Sequence, residues 1–501
     1  MGGVLRGAVL QVGGRLTKVL ASVVAFGIVS RVLGIARFSD FVFVFAYVLL
    51  FTSLAAFGVD SIIVRDLSRE QGTPAERARF IHVTLVTKII LAAAAIVLCV
   101  GIARVIGLSA RIQAETVVFT PYIIVTTFGS IGMLGSVLQA HHRSGAIATA
   151  STAAALVTLA ATAAVAWLHG GVELFLAAYI VAGVVDCLIC YLAARRVLPL
   201  GIAWDRPLAA YILQESYPLG IAVIFLLIYV RIDNVLLELL TNPRQVALYG
   251  VAYKFYDVLT TVSATLLLAL FPMLTRAYHQ GMDVARKTFG QVFSGMLALS
   301  LPMAFAVVVL RAPLLHLIVG HKYDDAQLAM PGLMLAVAII FPSAVASYML
   351  IIARRQQWNL LLAVLASGVN IGLNLWLIPR GGYVAAAWIT AATESFVLLY
   401  NLTLLRLTVG MAPQWRTVGL VLLAALPFAL VLVPLVAPGI SPYLTGGVGL
   451  ALYALLIWRT GLLAPLLRQV LARGRAVAAG EGAALADTEL VGTPEGPVLT
   501  P

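Results

Sequence analysis

Charge is scarce in this chain. Only 11% of its 501 residues are charged, against 62% hydrophobic, and the mean hydropathy is +1.02. A soluble chain carries about a quarter charged residues, so this one lacks the polar groups to cover a water-facing surface. That shortage excludes a secreted domain, a cytosolic enzyme, a coiled coil and a mostly disordered chain, and it leaves a polytopic membrane protein. Cysteine is scarce too: Cys99, Cys187 and Cys190 all sit inside apolar runs. An odd, buried set builds no disulfide framework, and Cys187-x-x-Cys190 lacks the polar setting of a redox or zinc site. A phosphate-binding Gly-rich loop followed by Lys and Ser or Thr is missing, so no ATPase engine is encoded. No extramembrane domain exists to carry catalytic triads or paired carboxylates. The 7 histidines stand mostly at loop edges without metal-ligand spacing, so neither an enzyme nor a metal site is expected.

What is present is apolar length. A window of about 19 residues finds about fourteen stretches able to cross about 30 Å of hydrocarbon: 19–39, 42–64, 81–103, 116–139, 146–168, 172–194, 213–240, 246–273, 288–310, 327–352, 358–379, 382–405, 416–437 and 442–465. Backbone in lipid must satisfy its own hydrogen bonds, so these runs are read as helices and the fold class as all-α. Met1–Leu20, with Arg6, Arg15 and Lys18, looks like an amphipathic approach rather than a cleaved signal peptide, and the N-terminus is expected to be kept. The excess of 33 basic over 21 acidic residues suits loops facing anionic lipid better than nucleic acid, for which there is no soluble basic domain. With the N-terminus inside, Lys and Arg favour the cytoplasmic loops about three to one, which predicts a cytoplasmic membrane protein with both termini in the cytoplasm.

The two halves look alike. Ser30-Arg31-Val32-Leu33 pairs with Val230-Arg231-Ile232-Asp233, and His169-Gly170-Gly171 pairs with Arg380-Gly381-Gly382. Val64-Arg65-Asp66 and His141-His142-Arg143 also have partners about 211 residues on, at Thr275-Arg276-Ala277 and Ala353-Arg354-Arg355. Six helices separate each pair, so the copies are parallel, with a pseudo-twofold axis along the membrane normal and a cavity between lobes. The expected organisation is a cytoplasmic amphipathic N-terminus (1–18), an N-lobe of helices 1–6 (19–212), a C-lobe of helices 7–12 (213–410), helices 13–14 (411–467) and a disordered tail (468–501).

Ionisable groups within spans are functional candidates because lipid makes them costly. Arg31 is placed midway along helix 1 and Arg231 inside helix 7, both at the lobe interface. There they would either grip an anion such as pyrophosphate with their planar forks or fix packing as intramembrane ion pairs. Asp233 stands two residues from Arg231 and so points to a nearly opposite face. In helix 8, Lys254 and Asp257 share a face at i,i+3 and would either pair locally or leave Lys254 as cationic surface and an acid free for a coupling ion. Asp186 in helix 6 and Glu394 in helix 12 hold comparable places after the Gly-Gly turns and join Asp233 and Asp257 as ion-coupling candidates. Asn370 and Asn374 share a face of helix 11, where interhelical hydrogen bonding is expected. Lys88 is expected to snorkel to the surface. Gly129, Gly132 and Gly135 are expected to serve close helix packing, and Pro302, Pro342, Pro427 and Pro434 to mark kinks.

The succession Glu215-Ser216-Tyr217-Pro218-Leu219-Gly220, Arg231-Ile232-Asp233-Asn234-Val235-Leu236-Leu237, Val246 to Lys254 and Leu270-Phe271-Pro272-Met273-Leu274 resembles the polysaccharide (oligosaccharide repeat-unit, Wzx-like) flippases of the multidrug/oligosaccharidyl-lipid/polysaccharide (MOP) exporter superfamily. Ser30 to Gly34, Phe57 to Asp60 with Val64-Arg65, and Gly381 to Ala387 resemble further blocks of that family, so the likeness spans roughly residues 10–465. It implies a MATE-like pair of six-helix lobes working by alternating access. The implied cargo is a polyprenyl-pyrophosphate-linked glycan held by Arg31, Arg231 and Lys254 in a cationic cavity. The implied partners are membrane lipid and other polysaccharide-assembly membrane proteins. No cofactor is implied beyond a coupling proton or sodium ion. The alternatives are a lipid II flippase and a cation-coupled multidrug antiporter. A membrane-embedded glycosyltransferase or polymerase would need a large outer loop with catalytic carboxylates, which this chain lacks.

Overall fold

A helix in lipid can show apolar side chains on every face, so its ends are set by glycine, proline and capping groups rather than by an amphipathic stripe. The computed structural model describes residues 2–68, 73–197, 199, 201–355, 357–432 and 441–461, and no strand occurs among them. The helices are α1 (Gly2–Val32), α2 (Ile35–Ala56), α3 (Val59–Ser68), α4 (Pro74–Val105), α5 (Ala110–Phe119), α6 (Pro121–Phe128), α7 (Met133–Ala140), α8 (Ser144–Trp167), α9 (Val172–Ala194), α10 (Arg206–Leu240), α11 (Pro243–Gln280), α12 (Met282–Val309), α13 (Arg311–Ile318), α14 (Met330–Ile352), α15 (Gln357–Thr408), α16 (Trp415–Ala424) and α17 (Pro442–Thr460). Two 3-10 helices, His321–Leu328 and Leu426–Leu432, complete the order. Several starts carry capping chemistry. Thr73 and Glu76 form a reciprocal capping box at α4, and Asn242 accepts from the Gln245 N–H before Pro243 at α11.

Among the described residues, 10 helical stretches are long and apolar enough to cross a membrane. One of them, Trp358–Thr408, is long enough for two passes and bends at Gly382, where φ is 57° and ψ −143°. α1, α16 and α17 are further helices beside these stretches, α16 with 10 residues. The tail expected to be disordered (468–501) and Pro434 lie outside the described residues.

Several boundaries differ from expectation. The first span was placed at 19–39, but the chain turns at Leu33–Gly34, so α1 ends at Val32 and Arg37 belongs to α2. The second span is broken at Phe57 (φ 44°) and Gly58 (φ 73°) into α2 and α3. The fourth is interrupted around Gly129–Gly132. Gly132 and Gly135 are needed by this interruption rather than by a neighbouring helix: a Cβ on either would overlap a carbonyl oxygen of the same segment, Thr127 or Ser130. Pro302 and Pro342 lie inside α12 and α14, and Pro427 in the second 3-10 helix.

Packing mostly follows the sequence halves, with α2 as the main bridge between them. α8 lies against α1 and α9, while α14 gathers α11, α12 and α15; α2 packs on both α10 and α11. α2 is accordingly the most enclosed span, and its Phe38, Phe43 and Tyr47 share a core with Tyr249 and Tyr253 of α11. α4 and α8 instead show most of their apolar surface outward, as lipid allows.

Candidate functional site

Charged side chains within the spans come together on α10 and α11, with one contact from α11 to α1. Arg231 of α10 reaches Asp257 of α11: Nη2 donates to Oδ1 at 3.2 Å and Nη1 to Oδ2 at 3.4 Å. The guanidinium also lies 5.2 Å from the centre of the Tyr253 ring. Asp257 therefore serves Arg231, and the expected local pairing of Lys254 with Asp257 is corrected. Lys254 turns the other way: its Nζ donates to Ser22 Oγ of α1 at 3.2 Å and stands 5.4 Å from the Phe26 ring centre. Asp257 thus pairs with Arg231, while Lys254 has a hydroxyl of α1 as its hydrogen-bond partner.

Arg31 is elsewhere. The expectation that it lies midway along helix 1, opposite Arg231, is corrected, because α1 ends one residue after it. From Ser22, which touches Lys254, to Arg31 the helix rises about 13 Å. At that end, called the outer end here after the charge bias, Arg31 donates to the carbonyls of His316 (3.1 Å), Leu317 (2.6 Å) and Ile318 (3.2 Å). Lys322 returns the contact, donating to the carbonyls of Arg31 (2.9 Å) and Leu33 (3.1 Å), and the Tyr323 hydroxyl donates to Ser30 O at 3.0 Å. Two helix C-termini thus meet, and each satisfies its orphan carbonyls with a cation from the other side. Gly27 permits the approach, since a Cβ there would stand 2.6 Å from Ile318 O.

Beside the cationic cluster lie two buried acids whose hydrogen-bond partners are neutral. Asp233 accepts from Asn374 Nδ2 and the Tyr249 hydroxyl, both at 2.8 Å, and from Thr390 Oγ1 at 3.2 Å. Asn370 supports it by accepting from Asn374 at 2.9 Å. Glu394, one turn beyond Thr390, accepts from the hydroxyls of Tyr229 and Tyr256. Asp186 is not part of this group. Its Oδ2 accepts from the Ser130 N–H at 2.6 Å, where the fourth span is interrupted, and its buried Oδ1 has no hydrogen-bond partner.

Other charged groups had little signal in the sequence. Lys88 does not snorkel: its side chain is fully buried and donates to Asp60 at 2.5 Å, because the α2–α3 break turns that acid inward. Arg37 joins Glu115 (2.6 Å), Glu173 (3.0 Å) and Asp40 (3.4 Å), with Arg111 on Asp40 at 2.8 Å. An Arg and an Asp three apart at the start of a span was the available clue to that network. At the inner end, Arg65 of α3 binds Glu215 of α10 at 2.7 Å, and Tyr211 donates to Asp66 at 3.1 Å. The histidine expectation also needs correction: His316 and His321 converge with Asp324 across the turn that follows α13.

Residues 4–278 match the family described as polysaccharide biosynthesis protein, more than half of the chain. The chain belongs to that family. Residues 218–376 also match the MatE family. No curated protein matches the sequence. Among solved structures, the fold is similar to the lipid II flippase MurJ in an inward closed conformation, at 12% identity and TM-score 0.73, over 91% of this chain and 99% of that one. An inward-facing multidrug resistance MATE family transporter of the MOP superfamily is similar at 13% identity and TM-score 0.64, over 79% and 97% of the two chains. A MOP superfamily transporter from Pyrococcus furiosus, noted for the reverse polarity of its binding pocket, is similar at 13% identity and TM-score 0.57, over 79% and 94%. This polysaccharide biosynthesis family member thus has many apolar helices able to cross a membrane and shares its fold with these MOP superfamily proteins.

Proposed function

We propose that the protein flips a polyprenyl-pyrophosphate-linked oligosaccharide across the cytoplasmic membrane. It does so by alternating access between two six-helix lobes, 19–212 and 213–410. The observation that carries this reading is a pair of span cations, Arg231 held by Asp257 and, one turn before that acid, Lys254 donating to the Ser22 hydroxyl of α1. A pyrophosphate entering there exchanges with Asp257 for the Arg231 fork and draws Lys254 from its single hydroxyl partner. The polyprenyl tail stays in lipid, and the glycan follows the head group between the lobes. Arg31 acts at the outer closure instead of on the cargo.

Asp233 and Glu394 are the coupling acids of this reading. A buried carboxylate held by hydroxyls and amides is electrically uncompensated and favours a proton or sodium ion. Asp257 is given to Arg231 and Asp186 to the Ser130 amide, which leaves these two available. Lipid II presents the same pyrophosphate and is the alternative cargo. A cation-coupled multidrug antiporter is the other alternative, and it would have to leave the Arg231 fork without an anionic cargo.

Reconstituted vesicles test the reading. The protein should move a fluorescent polyprenyl-pyrophosphate oligosaccharide between leaflets; Lys254→Gln should stop it at normal folded yield, and Arg231→Gln should stop it as well, measured per folded protein. Movement of lipid II alone would make the cargo peptidoglycan precursor. Efflux of a cationic dye with no lipid-linked movement would refute the flippase reading.

A further inference from the structure

The outer turn between α13 and α14 holds a set of donors that transport of an anion does not use. His316 ends α13, Gly320 reverses the chain with φ 84°, and His321 and Asp324 begin the 3-10 helix. One donor atom from each of His316, His321 and Asp324 lies within 4.8 Å of the other two. His316 Nε2 is 2.9 Å from Asp324 Oδ1, and His321 Nδ1 is 3.8 Å from Oδ2. The two imidazole rings are 3.9 Å apart at their centres. Tetrahedral zinc with bonds near 2.0–2.2 Å sets neighbouring donors about 3.3 Å apart, so these spacings bracket what the ion requires.

The neighbouring charges are already committed. Asp325 is held by Arg244 at 2.7 Å, and Lys322 points to the carbonyls ending α1. Asp324 is faced by the two imidazoles. All three groups are partly or well exposed, so an ion can enter from water. Two imidazole nitrogens and one carboxylate are a donor set suited to zinc rather than to magnesium or calcium, which prefer oxygen. Water would complete the tetrahedron.

We propose that His316, His321 and Asp324 form a zinc site at the outer end, and that the bound ion stiffens the turn on which Arg31 latches. The His316 carbonyl is one of the three acceptors of Arg31, and Lys322 and Tyr323 stand between the other two metal ligands. An ion joining His316 to His321 and Asp324 bridges the Gly320 reversal and holds donors and acceptors of the α1 contact in one geometry. The site does not depend on the identity of the cargo.

The test uses the purified full-length chain in detergent, with Zn2+ competed against a fluorescent zinc chelator. The wild type should withdraw zinc from the dye. His316→Gln, His321→Gln and Asp324→Asn should lose that uptake while eluting as the same monodisperse species. Arg31→Gln should retain it, and excess Mg2+ should not displace it. Hydrogen exchange over residues 316–328 should slow on adding zinc to the wild type and stay unchanged in His321→Gln. No uptake by the wild type, or equal uptake by the three ligand variants, overturns the site. Uptake without slower exchange overturns the stiffening.

Discussion

Arg231 keeps its charge inside a span because Asp257 and the Tyr253 face lie against it, and the two ways of breaking that arrangement should differ. Arg231→Gln strands Asp257 and removes the fork that the proposed cargo needs, whereas Asp257→Asn frees the fork. The expected outcome is abolished flipping for the first and retained or tighter cargo binding for the second, measured in vesicles beside folded yield. Equal loss in both would reduce the pair to a packing device. Lys88 and Asp60 make a purer structural case, since the lysine is fully buried and its hydrogen bond goes to that acid. Removing one partner of such a pair costs about 3–5 kcal/mol, while replacing both by apolar groups is often neutral. Lys88→Met should therefore lower folded yield severalfold, and Lys88→Met with Asp60→Leu should restore it; a double variant no better than the single would contradict the pairing. Sequence could place these charges within spans but not choose their partners. The i,i+3 rule nominated Lys254 for Asp257, yet a longer side chain on another helix took the acid.

At the scale of elements, what was legible depended on how each helix ends. The sixth span was read as 172–194 and the structure gives Val172–Ala194, because Gly170-Gly171 and the Arg195-Arg196 pair bound it on both sides. The first span differs because Ile35 and Ala36 keep the run apolar directly after Gly34, so hydropathy does not mark the turn and the charges Arg37 and Asp40 come only after it. That displacement puts Arg31 in mid-helix on the sequence reading, whereas the structure has it at the helix end, donating to the carbonyls that end α13. The break at Gly58 was hidden for a related reason: its purpose is tertiary. A Cβ there would stand 2.9 Å from the Gly220 N and the Ser216 carbonyl of α10. Gly382 shows the same dependence on a distant residue. Its φ of 57° and ψ of −143° are nearly confined to glycine, and a Cβ would overlap Gln245 Oε1, which accepts from the Tyr383 N–H at 3.1 Å. Gly382→Ala should cost about 1–3 kcal/mol through the backbone alone, visible as a lower melting temperature in detergent. Gly381→Ala, without positive φ, should cost less. Equal effects would show that the bend does not need this conformation.

Across the whole molecule, two ties join the first and second sequence halves near opposite ends of the bundle. Arg31, Lys322 and Tyr323 hold α1 to the α13 turn, and Arg65 with Asp66 holds α3 to Glu215 and Tyr211 of α10. Between them lies the Lys254–Ser22 contact, on the proposed cargo path. Under the proposed alternating access one tie must yield while the other holds, so each would set the population of the state that it closes. Hydrogen bonds to charged groups contribute about 1.5–3 kcal/mol when buried and less at exposed positions such as these. Even about 1.4 kcal/mol shifts a two-state equilibrium tenfold. Arg31→Gln should therefore favour outward opening and Arg65→Gln inward opening. A cysteine at Ser22, in a background lacking Cys99, Cys187 and Cys190, reports both through its rate of reaction with an impermeant thiol reagent. In Arg31→Gln that rate should rise from the outer face and not the inner; in Arg65→Gln it should rise from the inner face. Cysteines at Gly170 and Arg286 in the same vesicles fix the sides, with Gly170 expected to react outside and Arg286 inside. Unchanged rates in both variants would leave these contacts as surface ties with no hold on the transport cycle. A rise from the same face in both would place α1 and α3 at one gate and remove the lobe-against-lobe motion from the mechanism.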